Sequence, residues 1–168
     1  MVESLSKLNK TVCLRVHPEE DNWFGLKARV FLYSKGKSAH FASALFYMVD
    51  VIRSILLYSW RKVDYVIFVR YLMGTAYLPS PLHIIGYNFF ASWVPKSRNM
   101  YFLDVTPHEA AARISANRKE KEMFESLEAL KKVRAKALSL TRYSNWIILD
   151  SDRPEIEVAQ TLRASLKN

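Results

Sequence analysis

The chain has 168 residues, a length that argues for one domain around one hydrophobic core. Apolar residues make up 50% of it and charged residues 24%, which is typical of a globular protein and excludes an intrinsically disordered one. Lysine and arginine outnumber aspartate and glutamate by 25 to 16, and the resulting formal charge of +9 favours phosphate-bearing partners without saying which ones.

The chain opens with a predicted short helix and a predicted strand. Apolar residues recur at helical spacing over residues 2–8, and residues 11–16 form a β-branched run that predicts a strand. A polar, proline-containing loop over residues 17–22 ends that strand. Cys13 is the single cysteine, which excludes an intramolecular disulfide and a cysteine-rich zinc site, and a cytoplasmic location fits best.

The most hydrophobic stretch of the chain predicts a helix over about residues 39–59. It is long enough to be considered as a membrane span, yet Asp50 and Arg53 lie near its middle. We therefore expect a largely buried helix that faces the core, and no membrane association. Residues 63–69 then form a continuous apolar run, as expected of a parallel strand covered on both faces.

The second half of the chain repeats this alternation of strands and helices. Residues 101–105 predict a strand, and the next residues predict a helix start, with Thr106 as the cap, Pro107 in the first helical position and Glu109 completing a capping box.

Further on, an amphipathic helix is predicted over residues 123–138, with Glu128 and Lys132 as a favourable pair. A strand follows over residues 146–150, and a last helix, opened by Asp152, runs to Leu166. Because strands alternate with helices throughout, we expect a parallel sheet in a single three-layer α/β domain over residues 1–168.

Several short motifs follow one another in an order that resembles a known family. In the second half they are Phe102-Leu103-Asp104-Val105-Thr106-Pro107, Arg113-Ile114, Phe124-Glu125, Val133-Arg134 and Asp150-Ser151-Asp152-Arg153-Pro154. Upstream they are Leu45-Phe46-Tyr47, Phe68-Val69-Arg70-Tyr71 and Ala76-Tyr77. Together they are similar to the motifs of thymidylate kinases, which implies a P-loop kinase-like domain with a parallel sheet.

The chain departs from that family in its phosphate loop. Such kinases need Gly-x-x-x-x-Gly-Lys-Ser/Thr, because closely spaced backbone N–H groups and a lysine must wrap the phosphates. No glycine precedes Gly25 here, so we expect the family's first, central strand and its loop to lie before Met1. An apolar slot is then expected between the strands at 63–69 and 101–105. Val69 also stands where the family has an aspartate, and Asp50 about where it has a nucleotide-contacting arginine.

The resemblance implies phosphoryl transfer from ATP, with Mg²⁺, to a deoxynucleoside monophosphate, namely dTMP to dTDP, impaired here by the absence of the loop. Arg70, Arg113 and Arg118 are the catalytic candidates, since this reaction needs positive charge around the transferred phosphoryl group. The lid would span residues 113–125. The acceptor would contact Phe46, Arg70, Tyr71 and Tyr77, and ATP would contact Arg113, Ser151, Asp152 and Arg153. The histidines show no metal-ligand spacing, so no protein metal site is expected.

Two other functions remain open from the sequence. The basic residues between Arg113 and Arg142 would suit a non-catalytic nucleic-acid-binding module, although a nucleotide is favoured over nucleic acid as the partner. A regulatory pseudokinase would instead pair with an intact partner through its aromatic helix. A homodimer is compatible with either kinase interpretation.

Overall fold

The computed structural model describes residues 5–34, 36–97, 99–117 and 126–165. The first half contains β1 (Val12–Val16), α1 (Trp23–Leu32), α2 (Lys37–Tyr58), β2 (Tyr65–Val69), a 3-10 helix (Leu72–Tyr77) and α3 (Leu82–Trp93). The second half contains β3 (Met100–Asp104), α4 (Pro107–Asn117), α5 (Leu127–Leu140), a short 3-10 helix (Thr141–Tyr143), β4 (Trp146–Asp150) and α6 (Glu155–Ser165). The predicted mixed α/β fold is confirmed.

The four described strands form two parallel pairs. Strand β1 pairs with β2 so that Val16 lies opposite Val69, and β3 pairs with β4 so that Asp104 lies opposite Asp150. Strands β2 and β3 do not pair with each other in the described part of the chain. The described strands therefore form two separate two-stranded parallel sheets.

One hydrophobic core joins the two strand pairs. Its fully enclosed members include Tyr87 on α3 and Leu140 on α5, which are both 0% exposed. Leu72, which follows β2, and Met100, which begins β3, belong to the same cluster. The indole N–H of Trp146 donates to the hydroxyl of Tyr87 over 2.7 Å, which satisfies the polar atoms that these rings bring into the core.

Helix α2 was predicted correctly, but the expectation that it is largely buried is wrong. Its buried face carries Asp50, Val51, Ser54 and Ile55. Four apolar side chains on another face are exposed, namely Phe41 (58%), Leu45 (46%), Ile52 (37%) and Leu56 (66%). Residues 41–58 are long and apolar enough to cross a membrane by length and composition alone, although they include the fully buried Asp50.

Helix α1 was not predicted from the sequence. It begins at Trp23 because the side-chain oxygen of Asn22 accepts hydrogen bonds from the backbone N–H groups of Phe24 and Gly25. Asn22 is the last residue of a loop rich in acidic residues. The sequence analysis assigned it to that loop and did not predict it as a helix cap.

Three smaller sequence predictions differ from the structure. Glu128 pairs with Lys131, three residues away, and not with Lys132. The backbone N–H of Thr106 donates to Asp152, so the reciprocal capping bond expected from Glu109 is not made. Asp152 therefore ties the start of α4 to the loop after β4, where the sequence had suggested a cap for α6. Residues 118–125, including Met123 and Phe124, lie outside the described residues.

Candidate functional site

A cleft lies beyond the carboxyl ends of β1 and β2. It has a volume of about 640 Å³, within the range of small-molecule sites. It is lined by Val16, His17, Pro18, Glu19, Glu20, Asp21, Arg29, Leu32, Tyr33 and Arg70. Ligand sites of open parallel sheets occur in this position because the loops that follow the strands meet there.

Arg70 brings a positive charge to this cleft. It directly follows β2, its backbone has a φ of 60°, and its side chain is exposed. A left-handed conformation is uncommon for a residue with a side chain and costs about 1–3 kcal/mol. The guanidinium forms no hydrogen bond or ion pair with the described residues, whereas Arg29, on the same cleft, pairs with Glu20. Arg70 is thus available to an anionic ligand.

A buried histidine–aspartate pair holds the loop that forms one wall of the cleft. His17 and Asp50 are both 0% exposed, and His17 Nδ1 lies 2.8 Å from Asp50 Oδ2. The same carboxylate accepts hydrogen bonds from the backbone N–H of Glu19 and from the side chain of Asn22. Burial by itself would raise the pKa of Asp50, but these three hydrogen bonds outweigh it and hold the pKa below its usual range.

Arg15 holds the same loop from the β1 side. Its guanidinium lies 3.9 Å from the centre of the Tyr58 ring and donates to Asp21 over 2.8 Å. Its Nε atom is 3.0 Å from Glu19 Oε1, an ion pair whose angle is not that of a hydrogen bond. Because Arg15 contacts the side chains of Glu19 and Asp21 while Asp50 binds the Glu19 backbone, the acidic residues of the loop are held in place by the protein itself.

A second polar group lies where β3 and β4 end. Arg113 on α4 donates to Glu109 over 2.7 Å and approaches the backbone oxygen of Asp152 at 3.5 Å. Arg153 pairs with Asp150 at 3.2 Å. Ser151 is buried, and its backbone N–H donates to the backbone oxygen of Asp104. The structure thus brings Arg113, Ser151, Asp152 and Arg153 together, as the sequence predicts, although their roles remain predictions.

An arginine that the sequence analysis did not include among the site residues supports this second group. Arg134 on α5 forms a bidentate pair with Asp104, with distances of 2.7 and 2.8 Å from Nε and the terminal nitrogen to the two carboxylate oxygens. This planar geometry is the strongest form of such a pair. Asp104 is therefore engaged by Arg134 as a structural carboxylate.

The three predicted aromatic contacts of the acceptor do not line the cleft at Arg70. Phe46 lies between α1 and α2, where it stacks on Phe31 at 5.7 Å and meets Trp23 edge-on at 5.4 Å. The Tyr71 hydroxyl donates to the backbone oxygen of Pro95, and burial raises the pKa of Tyr71. Tyr77 ends the 3-10 helix and is 40% exposed.

The predicted arginines are divided between two places. Arg70 lines the cleft, whereas Arg113 and Arg153 do not. Arg118 lies outside the described residues, as does most of the proposed lid. Among the described residues, no group of three or more His, Cys, Asp or Glu side chains is placed to hold a metal ion.

One pattern in the sequence indicates the cleft, although it was not among the predicted site residues. A run of polar residues directly after a strand, here from His17 to Asn22, marks the carboxyl end of a parallel strand, where ligands bind. Tyr33 and Arg29 carried no such signal, because only the packing of α1 against α2 brings them to the same edge.

Parallel strands followed by a polar loop and an arginine define an α/β protein whose cleft lies where such sheets bind their ligands, and an arginine there can hold an anion. The model of the family described as thymidylate kinase matches residues 1–162. The chain is also 37% identical, over 79 residues, to a probable thymidylate kinase of Pyrobaculum calidifontis. That match covers 47% of this chain and 40% of the relative. The chain belongs to the thymidylate kinase family.

Proposed function

We propose that this chain carries the acceptor site of a nucleotide kinase that transfers a phosphoryl group from ATP to a deoxynucleoside monophosphate, with dTMP as the first acceptor to test. An oxygen of the acceptor phosphate would attack the γ-phosphorus of ATP, the bond to the β–γ bridging oxygen would break, and ADP and a nucleoside diphosphate would leave. Family membership supports this reaction, and Arg70 supports the acceptor site.

The proposal depends mainly on the position and backbone conformation of Arg70. Its guanidinium lines the cleft without a protein counter-ion among the described residues, and its backbone is held in an unfavourable conformation at the end of β2. Both features are expected of a side chain that is preorganised to bind a phosphate in a bidentate manner. Solvation alone would not require the left-handed backbone.

The described residues fit the donor and its metal less completely. Arg113 and Arg153 could contact ATP from the loop side of β4, but each already has an acidic neighbour. Since no metal cluster occurs among the described residues, Mg²⁺ would be bound mainly through the phosphates of ATP, as it commonly is in kinases. We therefore assign the cleft at Arg70 to the acceptor.

Arg70→Ala is expected to weaken binding of dTMP by roughly 10- to 100-fold, the effect of losing hydrogen bonds to a charged group. Isothermal titration calorimetry on the 168-residue chain measures this. Arg142→Ala is the matched control, because it removes the same charge from an exposed residue before β4 and should leave the affinity unchanged. If wild-type protein binds no deoxynucleoside monophosphate, or if both variants bind alike, the proposal is wrong. ADP formation with ATP, Mg²⁺ and dTMP then shows whether this chain turns over.

We also propose that the exposed face of α2 pairs with a second copy of the chain. Phe41, Leu45, Ile52 and Leu56 follow one another at spacings of four, seven and four residues, so they lie on one side of the helix. An uncharged stripe of this kind is self-complementary when two such helices meet across a two-fold axis.

Analytical ultracentrifugation tests this pairing. The wild type should sediment as a dimer and Leu56→Glu as a monomer, because a charge would be buried at the contact. Ile156→Glu is the matched control, since Ile156 is an equally exposed apolar residue, 73% exposed, on α6, and its replacement should leave the dimer intact. A monomeric wild type, or a dimeric Leu56→Glu variant, would rule the pairing out.

A further inference from the structure

The cleft at Arg70 carries an unusual balance of charge for a site that binds an anion. Three carboxylates, from Glu19, Glu20 and Asp21, line it, together with the two guanidinium groups of Arg29 and Arg70. The lining side chains are thus more negative than positive, although the whole chain has a formal charge of +9. A cleft lined only by positive charge would attract ligands more strongly with each phosphate that they carry.

The three carboxylates of the loop are neutralised in two different ways. Arg15 lies 3.0 Å from Glu19 and 2.8 Å from Asp21, and the Arg15 side chain is only 10% exposed. Glu20 instead forms an ion pair with Arg29 on α1. The side chains of this second pair are 66% and 47% exposed, so a ligand in the cleft can reach both of them.

We infer that Glu20 is a specificity-determining residue that restricts the cleft to ligands with one phosphate. This inference rests on the proposed function, because it needs a nucleotide bound at Arg70. By pairing with Arg29, Glu20 removes a second positive charge that would otherwise attract the additional phosphates of a di- or triphosphate. The carboxylate also repels such ligands, and this repulsion grows with the number of their charges. A monophosphate needs only the guanidinium of Arg70 and is admitted.

Titration calorimetry with dTMP and dTTP, without Mg²⁺ and at low ionic strength, measures this selectivity. We expect Glu20→Gln to tighten binding of dTMP by roughly two-fold and binding of dTTP by roughly five- to ten-fold, because the more highly charged ligand gains more from the added positive charge. The change in selectivity should shrink at about 1 M salt, which screens exposed charges. Since Glu20 is exposed, the melting temperature should stay close to that of the wild type.

Arg29→Gln provides the opposite change of charge. It should weaken binding of dTTP more than binding of dTMP. The double variant Glu20→Gln/Arg29→Gln should restore the wild-type ratio of the two dissociation constants, because the pair then again carries no net charge. Glu128→Gln is the matched control. Glu128 is 73% exposed, pairs with Lys131 on α5 and does not line the cleft, so its replacement should leave the ratio unchanged.

The ratio of the dTTP and dTMP dissociation constants decides between the outcomes. If the wild type binds dTMP and Glu20→Gln tightens both ligands equally or neither, Glu20 does not determine specificity and the inference alone is wrong. A double variant that keeps the altered ratio of Glu20→Gln would also overturn it, because the charge of Arg29 would then have no part in the selection. If the wild type binds neither nucleotide, the proposed function fails together with the inference.

Discussion

Asp50→Ala is expected to lower the free energy of unfolding by about 3–5 kcal/mol. The carboxylate is 0% exposed and accepts hydrogen bonds from His17, the backbone of Glu19 and Asn22. Its removal leaves the buried His17 and two half-buried donors, the backbone of Glu19 and the side chain of Asn22, without this acceptor, and a buried unpaired donor costs about 1–3 kcal/mol. Chemical denaturation followed by circular dichroism measures the change.

Acid provides an independent check on the same carboxylate. Because the pKa of Asp50 is lowered in the folded protein, its contribution is fully present above its unfolded pKa of about 3.9 and is lost as the pH falls through the folded value. The difference in stability between the wild type and Asp50→Ala should therefore shrink below about pH 4. Should Asp50→Ala fail to fold, Asp50→Asn retains the shape of the side chain and permits the same comparison.

Glu157→Ala serves as the control for the loss of a carboxylate. Glu157 is exposed in the first turn of α6, so its replacement should cost less than about 1 kcal/mol. Equal effects of Asp50→Ala and Glu157→Ala at neutral pH would show that Asp50 is not the anchor of the loop.

Gly25→Ala is expected to destabilise the protein by about 3 kcal/mol or more, although alanine is the better helix former. An added Cβ would lie 1.9 Å from the backbone oxygen of Glu19. Because that oxygen belongs to the backbone, it can move away only if the whole loop moves. The overlap outweighs the advantage of about 1 kcal/mol that alanine has within a helix. Thermal and chemical denaturation measure the loss, and dTMP titration should show weaker binding because the displaced loop lines the cleft.

Gly86→Ala is the matched control for this replacement. Gly86 also lies within a helix, but a Cβ there would meet side-chain atoms and no backbone atom, namely the end of Leu78 at 2.9 Å and the methyl group of Thr75 at 3.7 Å. We expect a change within about 1 kcal/mol of the wild type. If both glycines behave alike, the close approach of α1 to the loop is not a constraint on this fold.

The sequence by itself determined the strands, most helices and the class of the domain. Residues 146–150 form a strand with the predicted limits. A short, continuous apolar run bounded by polar residues is typical of a buried strand. Local capping was less predictable. Asp152 could have capped α6 from its own position in the chain, but a backbone N–H from a distant segment competes for the same carboxylate.

The tertiary structure alone decided which side chains meet at the cleft and which are enclosed. Arg70 was predicted from its place at a strand end, because that place follows from the order of the strands. The sequence did not show which of Phe46 and Tyr33 lines the cleft, since both are aromatic residues in or next to a helix. Only the packing of α1 against α2 sets the ring of Phe46 against Phe31 and Trp23 and leaves that of Tyr33 at the cleft. Such packing depends on contacts between residues distant in the chain.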